Sequence, residues 1–347
     1  MVLELPDVTV DGSSNTTLCN DAANVVTAIR TKWRKEDLMF QVYTEGITNK
    51  LVGVWHKDGL KDEQLLVRVY GYKTDLFIDR DAEKANIKFL HPYGCGPDLH
   101  CCFSNGLCYS FTPGVPVTPQ SITQEDVCAA TARQLAKMHS IPMKADQDQK
   151  PTLFTKLQRF LDLLPDFDSS ERIKRVIKEG YTKTFIEQEK RSIQSVVDRL
   201  GCPIVLCHND LLLGNVIWRQ ETDSINFIDF EYFAPNYQPY DIANHFCEFP
   251  GLDPVDYGRY PSEEFQRKWI SRYLSHLPEQ QRSLDWWVGA VAVLALASHL
   301  FWGTWSLLQA QHSHGDFDYA QYGIIRLDEY RRQKDQFLAL SAKCSAE

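Results

Sequence analysis

Three side chains in the stretch IVLCHNDLLLGNVIWRQETDSINFIDFE, residues 204–231, have types and spacing suited to moving a proton and holding a hard cation. Asp210 stands five positions before Asn215, and Asp229 follows fourteen later. A carboxylate such as Asp210 can accept the proton of an attacking hydroxyl. Asn215 and Asp229 offer an amide oxygen and a second carboxylate, which suit Mg²⁺, an ion that takes oxygen ligands and keeps several waters. Asn215 would ligate without adding charge beside an anionic partner. Taken singly, each residue reads as an ordinary turn former. The set, with His208 in front and Phe-Ile-Asp-Phe-Glu at 227–231, reads as a site.

These groups need rigid elements behind them. Ile204–Cys207 and Ile225–Ile228 are short, apolar and β-branched, and the pattern predicts two paired strands that deliver the polar clusters at their ends. Upstream, Met39–Tyr43, Leu51–His56 and Leu65–Tyr70 read as strands, with Asp58-Gly59 as a hairpin signal and Arg68 in the middle of the third. The polar turn Thr44–Lys50 reads, taken alone, as a plain hairpin turn, though its backbone N–H groups could also cover phosphates. Asp79 reads as the N-cap of a helix reaching about Leu90, with Glu83 in its first turns. Leu99–Phe103 and Leu107–Phe111 flank the hairpin signal Asn105-Gly106, and Pro113-Gly114 breaks the run as a hinge would. From Gln120 the pattern turns helical, with helices expected over Asp126–His139, Leu153–Leu164 and Lys183–Leu200. A surface helix is expected over Asp21–Lys35, and one beginning at Asp241 as its cap. The fold class is therefore α+β in two lobes. Residues 1–112 form a small β-rich N-terminal lobe, and residues 113–347 form a larger, mainly helical C-terminal lobe.

Composition narrows the partners. The 347 residues carry a net charge of -9, which disfavours nucleic acid because that partner needs a basic face. An acidic site suits a small cation. The ten cysteines contain no C-x2-C pair in the Cys95–Cys108 cluster, so reduced thiols rather than a zinc site or disulfides are expected. The start, MVLELPDVTV, lacks a basic region before an apolar core, so a cytoplasmic location is expected. From Trp286 to Leu308 the chain has no formal charge and is long enough to span a bilayer. Ser298, His299, Gly303 and Thr304 interrupt it, and a helix buried by protein, not a transmembrane segment, is the reading adopted.

The wording CHNDLLLGNVIW followed by FIDFEYFAPNYQPYDIANHFCEF resembles the choline/ethanolamine kinase family, small-molecule relatives of the protein kinases. The likeness extends in weaker form from about Thr44 to the C-terminus. It implies a protein-kinase-like fold, ATP and Mg²⁺ in the site, and transfer of a phosphoryl group to an amino alcohol. Asp210 would then handle the hydroxyl proton, with Asn215 and Asp229 on the metal and His208 bracing the loop. The stretch TEGITNKL, with Asn49, resembles the family's nucleotide-covering loop. Arg68 sits where protein kinases keep a strand lysine, and Glu83 could orient it. Glu248, Trp302, Trp305 and Tyr322 match the amino-alcohol pocket, and Asp241 helps brace the catalytic loop. Choline kinases typically carry Gln two positions after the catalytic Asp, whereas this chain has Leu212 there, in the wording of ethanolamine kinases. The resemblance thus implies ethanolamine phosphorylation, the first step of the CDP-ethanolamine route to phosphatidylethanolamine. Choline kinase, or another kinase of the aminoglycoside phosphotransferase-like group, is the alternative. Oligomeric state is not legible, and a homodimer is left open.

Overall fold

Alternation along one strand decides which way Arg68 faces. In the computed structural model, which describes residues 2–43, 49–71, 79–144, 148–164, 171–278, 282–312 and 317–344, the chain divides into two compact units. The first is Met1–Val115 with Asn226–Glu231; the second is Pro116–Ile225 with Tyr232–Glu347. The segment Asn226–Glu231, read from sequence with the C-terminal lobe, packs with the first unit.

The first unit is built on a six-stranded sheet. Its elements are β1 (Leu3–Leu5), α1 (Asn15–Ile29), β2 (Leu38–Tyr43), β3 (Lys50–His56), β4 (Leu65–Val69), α2 (Arg80–Leu90), β5 (Leu99–Phe103) and β6 (Gly106–Ser110). The spatial order is β1-β5-β6-β4-β3-β2, with β1 parallel to β5 and the other pairings antiparallel. The period of two sends Leu65, Val67 and Val69 into the core shared with Leu18, Ala22, Val25 and Val26 of α1. Arg68, between Val67 and Val69, is thereby sent to the opposite face. Burying each Val or Leu of this core contributes about 1.5–3 kcal/mol.

The helix expected over Asp21–Lys35 starts and ends earlier, at Asn15–Ile29. Ser14 caps it, accepting from the Thr17 backbone N–H while the Thr17 hydroxyl returns to the Ser14 N–H. That capping box, rather than Asp21, sets where the helix starts. Strand β1 was also missed. Three residues carry too little periodicity to register, and their register, Leu3 opposite Cys101, is set by the sheet. Asp79 caps α2 as its sequence predicts, accepting from the N–H groups of Asp81 and Ala82.

In the second unit Ile204–Cys207 pairs antiparallel with Ala234–Tyr237, Leu206 standing opposite Pro235. The expected pairing of Ile204–Cys207 with Ile225–Ile228 is not found; Ser224–Phe227 belongs to a separate three-stranded sheet. Two apolar runs of similar length look alike in sequence, and the returning strand at 234–237 was hidden by its Pro and Asn. Helices span Glu125–His139, Leu153–Leu163 and Lys183–Leu200, as their periodicity predicts. The helix expected to begin at Asp241 instead spans Gln238–Glu248, with Pro239 in its first turn. Asp241 is an interior residue of it, so its carboxylate is free for other work.

The apolar stretch forms the 29-residue helix Leu284–His312. Every residue from Trp286 to Ala310 except Trp305 is buried, covered by the helices of the same unit that precede it and by Tyr319–Cys344. The last contact is close because two glycines face each other. A Cβ at Gly303 would lie 2.9 Å from Leu327 Cγ, and one at Gly323 would lie 3.0 Å from Leu307 Cδ2. Their chain neighbours are Trp302 and Tyr322, two of the residues assigned to the amino-alcohol pocket.

Gly106 opposes Val69 in the ladder. A Cβ there would come within 2.1 Å of the Arg68 carbonyl oxygen and 2.4 Å of the Phe103 ring. Gly106→Ala is expected to cost ~3 kcal/mol, because backbone rather than a flexible side chain must move. A urea titration reads this directly; an unchanged midpoint would mean that the strands have more room than the geometry gives them.

Candidate active site

The second unit holds the loop with Asp210 and Asn215. The loop leaves the strand Ile204–Cys207 through His208 and Asn209, the latter at φ 69°, a left-handed conformation that Asn tolerates better than most residues. Three sets of bonds hold it there. The Asp241 carboxylate accepts from the His208 N–H at 2.6 Å and the Asn209 N–H at 2.7 Å. The Asn209 amide nitrogen donates to the carbonyls of Cys207, Tyr232 and Ala234. Its oxygen accepts from Asn236 at 2.7 Å. Asp241 also bonds His139 Nε2 at 3.0 Å, and His139 Nδ1 meets the Tyr273 hydroxyl at 2.6 Å. All of these partners except the half-buried Ala234 are buried.

Asn215 donates its amide nitrogen to the Asp210 carbonyl at 2.9 Å and approaches the Asp210 carboxylate at 3.4 Å. This fixes the amide orientation and leaves its oxygen, among the described residues, without a protein donor. A neutral oxygen held this way fits a hard cation. The sequence pair Asp210 and Asn215 is thus brought together.

The first unit holds the other charged residues. Arg68 is buried and paired with Glu83, which is also fully buried, and it meets Asp229 at 3.4 Å. The sequence expectation that Glu83 orients Arg68 is met in this geometry. Arg80 adds a bond to Glu83 at 3.0 Å and approaches Glu231 at 3.6 Å. Carboxylate oxygens of Glu83, Asp229 and Glu231 lie within 4.8 Å of one another. Burial first, and then the Asp229 charge, push the Glu231 carboxyl well above the usual carboxylate range, with Arg68 opposing. Burial works against the charge on Arg68, but Glu83 and Asp229 keep its guanidinium protonated. Asp229 itself has φ 64°, a strained setting of the kind found at functional sites. Asn49 accepts from the Gly71 N–H at 3.3 Å. The rest of the expected nucleotide-covering loop, residues 44–48, lies outside the described residues.

Glu248, Trp302, Trp305 and Tyr322 share the second unit with Asp210. Trp302 and Trp305 stack edge to face at 5.5 Å between ring centroids, and Trp302 meets Tyr232 at 5.3 Å. Asn244 accepts from both the Trp302 indole at 2.7 Å and Ser298 at 2.8 Å. Arg326 donates to Glu248 at 2.7 Å, to the Tyr322 hydroxyl at 3.0 Å and to Ser298 at 3.0 Å. Burial, and then the Glu248 and Asp210 carboxylates, push the Tyr322 phenol up against the opposing Arg326 charge. Tyr322 and Glu248 thus share one guanidinium nitrogen.

Asn209, His139 and Arg326 were not singled out from sequence as site residues. Arg326 left a signal, since it stands four positions after Tyr322 on the same helix face. His139 left none, because one histidine at the end of an amphipathic helix is common. Cys95, Cys101, Cys102 and Cys108 are free thiols, and burial raises the Cys101 thiol to about 12.

The fold has close counterparts. A Plasmodium vivax ethanolamine kinase matches with a TM-score of 0.82 and 29% identity, over 93% of this chain and 90% of that one. A choline kinase from Cryptosporidium parvum matches with a TM-score of 0.75 and 23% identity, over 92% and 96%. The class is that of the two-lobed, protein-kinase-like phosphotransferases, with a β-sheet N-terminal lobe and a helical C-terminal lobe. Within it, the chain belongs to the choline/ethanolamine kinase family, whose model matches residues 40–331. The mouse protein named ethanolamine kinase 1 is 37% identical over 343 residues, covering 96% of this chain and 94% of its own length. Membership makes ATP the phosphoryl donor.

Removing the Asp241 acceptor leaves two buried N–H groups unpaired, at about 1–3 kcal/mol each. Asp241→Ala is expected to lower turnover at least ~100-fold by loosening the loop, with a lower melting temperature; unchanged kcat would detach Asp241 from catalysis. His245 bonds the Leu211 carbonyl at 3.1 Å, next to Asp210. Burial lowers its pKa from 6.5 to about 4, with the Leu211 bond and the Asp241 charge opposing. The unfolded chain therefore binds the proton first. The stability is complete above pH ~6.5 and is lost as the pH falls towards ~4, by ~3 kcal/mol in all. Urea titrations at pH 7 and pH 5 are expected to show a larger loss for the wild type than for His245→Gln; parallel losses would refute this.

Proposed function

We propose that this protein transfers the γ-phosphoryl group of ATP to the hydroxyl of ethanolamine, giving phosphoethanolamine for the CDP-ethanolamine route to phosphatidylethanolamine. The single observation that carries the reading is the placement of Asp210 and Asn215, bonded to each other, in one unit with Glu248, Trp302, Trp305 and Tyr322. The kinship with proteins named ethanolamine kinase supports it.

Asp210 receives or orients the hydroxyl proton as the oxygen attacks phosphorus in line with the leaving ADP. Asn215 and Asp229 would each offer an oxygen ligand to Mg²⁺, which would neutralise phosphate charge when bound. Arg68, held by Glu83, offers its guanidinium to phosphate oxygens, where two parallel bonds fix orientation. Asn49 belongs to the loop that covers the nucleotide. Catalysis is then mainly positioning and charge neutralisation.

Ethanolamine carries a primary ammonium with three donors, which need acceptors. Glu248 is the nearest candidate, and the faces of Trp302, Trp305 and Tyr322 add cation–π attraction of about 0.5–2 kcal/mol. Choline, whose ammonium donates nothing, is the second reading, favoured by the same aromatic wall. The half-buried Leu212, where choline kinases carry Gln, favours ethanolamine. The enzyme acts in the cytoplasm, and the buried setting of Leu284–His312 supports a helix that serves as core.

Steady-state kinetics with ethanolamine against choline test the substrate. A higher kcat/KM for ethanolamine is expected, and the reverse order would transfer the assignment to choline. Asp210→Ala and Asp229→Ala are each expected to abolish turnover, at least ~1000-fold, while circular dichroism stays unchanged. Normal turnover in Asp210→Ala would remove the mechanism.

A further inference from the structure

Arg326 is a charged side chain with only 1% of its surface exposed, and nothing in the reaction as described uses it. Burial disfavours its charge, and the Glu248 carboxylate offsets that cost. A buried cation kept at such cost has been given partners, and those partners are the substrate residues. One nitrogen, Nη1, donates to Glu248 Oε1 and the Tyr322 hydroxyl, while Nη2 donates to Ser298 Oγ. Ser298 in turn donates to Asn244 Oδ1, the atom that also receives the Trp302 indole N–H. One guanidinium therefore ties together Glu248, Tyr322 and Trp302, which come from three different helices.

Resting on the ethanolamine reading, we infer that Arg326 is the positioning residue that aims Glu248 at the substrate ammonium. It holds carboxylate oxygen Oε1 and so presents Oε2, which among the described residues has no hydrogen-bond partner, to an N–H donor. A planar guanidinium fixes a carboxylate in direction as well as place. The same bond removes most of the net charge at Glu248, so the site selects by directed acceptance of an N–H bond more than by charge alone. A primary ammonium gains from that direction; a quaternary one, which has no N–H, does not. Arg326 thereby acts on ethanolamine and choline unequally, although both would lie against the same aromatic rings.

The test compares Arg326→Lys, Arg326→Met and Glu248→Gln with the wild type at saturating ATP. Lysine keeps the charge but not the planar fork, so Arg326→Lys is expected to raise KM for ethanolamine roughly ten-fold or more. KM for ATP and for choline should each change less than about three-fold, a split that a merely structural residue would not produce. Arg326→Met should widen the split. Equal rises for both alcohols in the folded Arg326→Lys protein, or no rise, would overturn the proposal, as would failure of Arg326→Lys to fold, which would make the residue structural. Glu248→Gln separates this outcome from the reading beneath it. If it raises KM for ethanolamine while Arg326→Lys does not, only the proposal falls; if it leaves KM unchanged, Glu248 does not receive the substrate and both fall.

Discussion

A carboxylate with no exposed surface must be fully partnered, and Asp241 meets that demand by accepting the backbone N–H groups of His208 and Asn209. That one constraint fixes the path of the chain just before Asp210. The loop is left-handed at Asn209, a conformation of higher energy than a strand, and it persists because Asp241, Asn236 and three carbonyls all require it. The backbone leading into Asp210 is thus placed by buried groups of a neighbouring strand and helix. His139 and Tyr273 extend the arrangement into neighbouring helices, so an error of an ångström in helix packing would be felt at Asp210.

The same logic, buried charge given obligatory partners, recurs twice. In the first unit Arg68 is committed to Glu83 and Asp229, and Arg80 shares the load by taking the other oxygen of Glu83. In the second unit Arg326 is committed to Glu248. Such pairs contribute little net stability, since desolvation offsets much of the attraction. Their value is geometric. Each leaves a carboxylate or guanidinium pointing in one direction, and phosphoryl transfer depends on direction.

Much of this was legible in the sequence, for identifiable reasons. The strand at Leu65–Val69 and the cap at Asp79 rest on local patterns, alternation and a side-chain cap, that tertiary structure did not override. Asp210 and Asn215 were legible because a five-residue spacing on one loop is a local geometric fact. The role of Asp241 was half legible: the resemblance gave its bracing of the loop, as its two backbone bonds show, but the cap reading fails because the helix begins three residues earlier. The pairing of Ile204–Cys207 was misread because strand partners are chosen by non-local packing. His139 escaped because its partner Asp241 lies 102 residues away, and the local spacing of Arg326 to Tyr322 did not reveal its bond to Glu248, 78 residues away.

The long apolar helix Leu284–His312 carries a consequence for how the chain reaches this state. Its side chains are covered in part by Tyr319–Cys344, which the ribosome makes afterwards. Until that last helix emerges and docks through Gly303 and Gly323, an apolar helix of about eight turns lacks much of its cover. Nascent chains in that condition adhere to one another and to chaperones. A premature stop within the final helix would therefore yield insoluble protein rather than a shortened enzyme, even though the loop bearing Asp210 would already have been made.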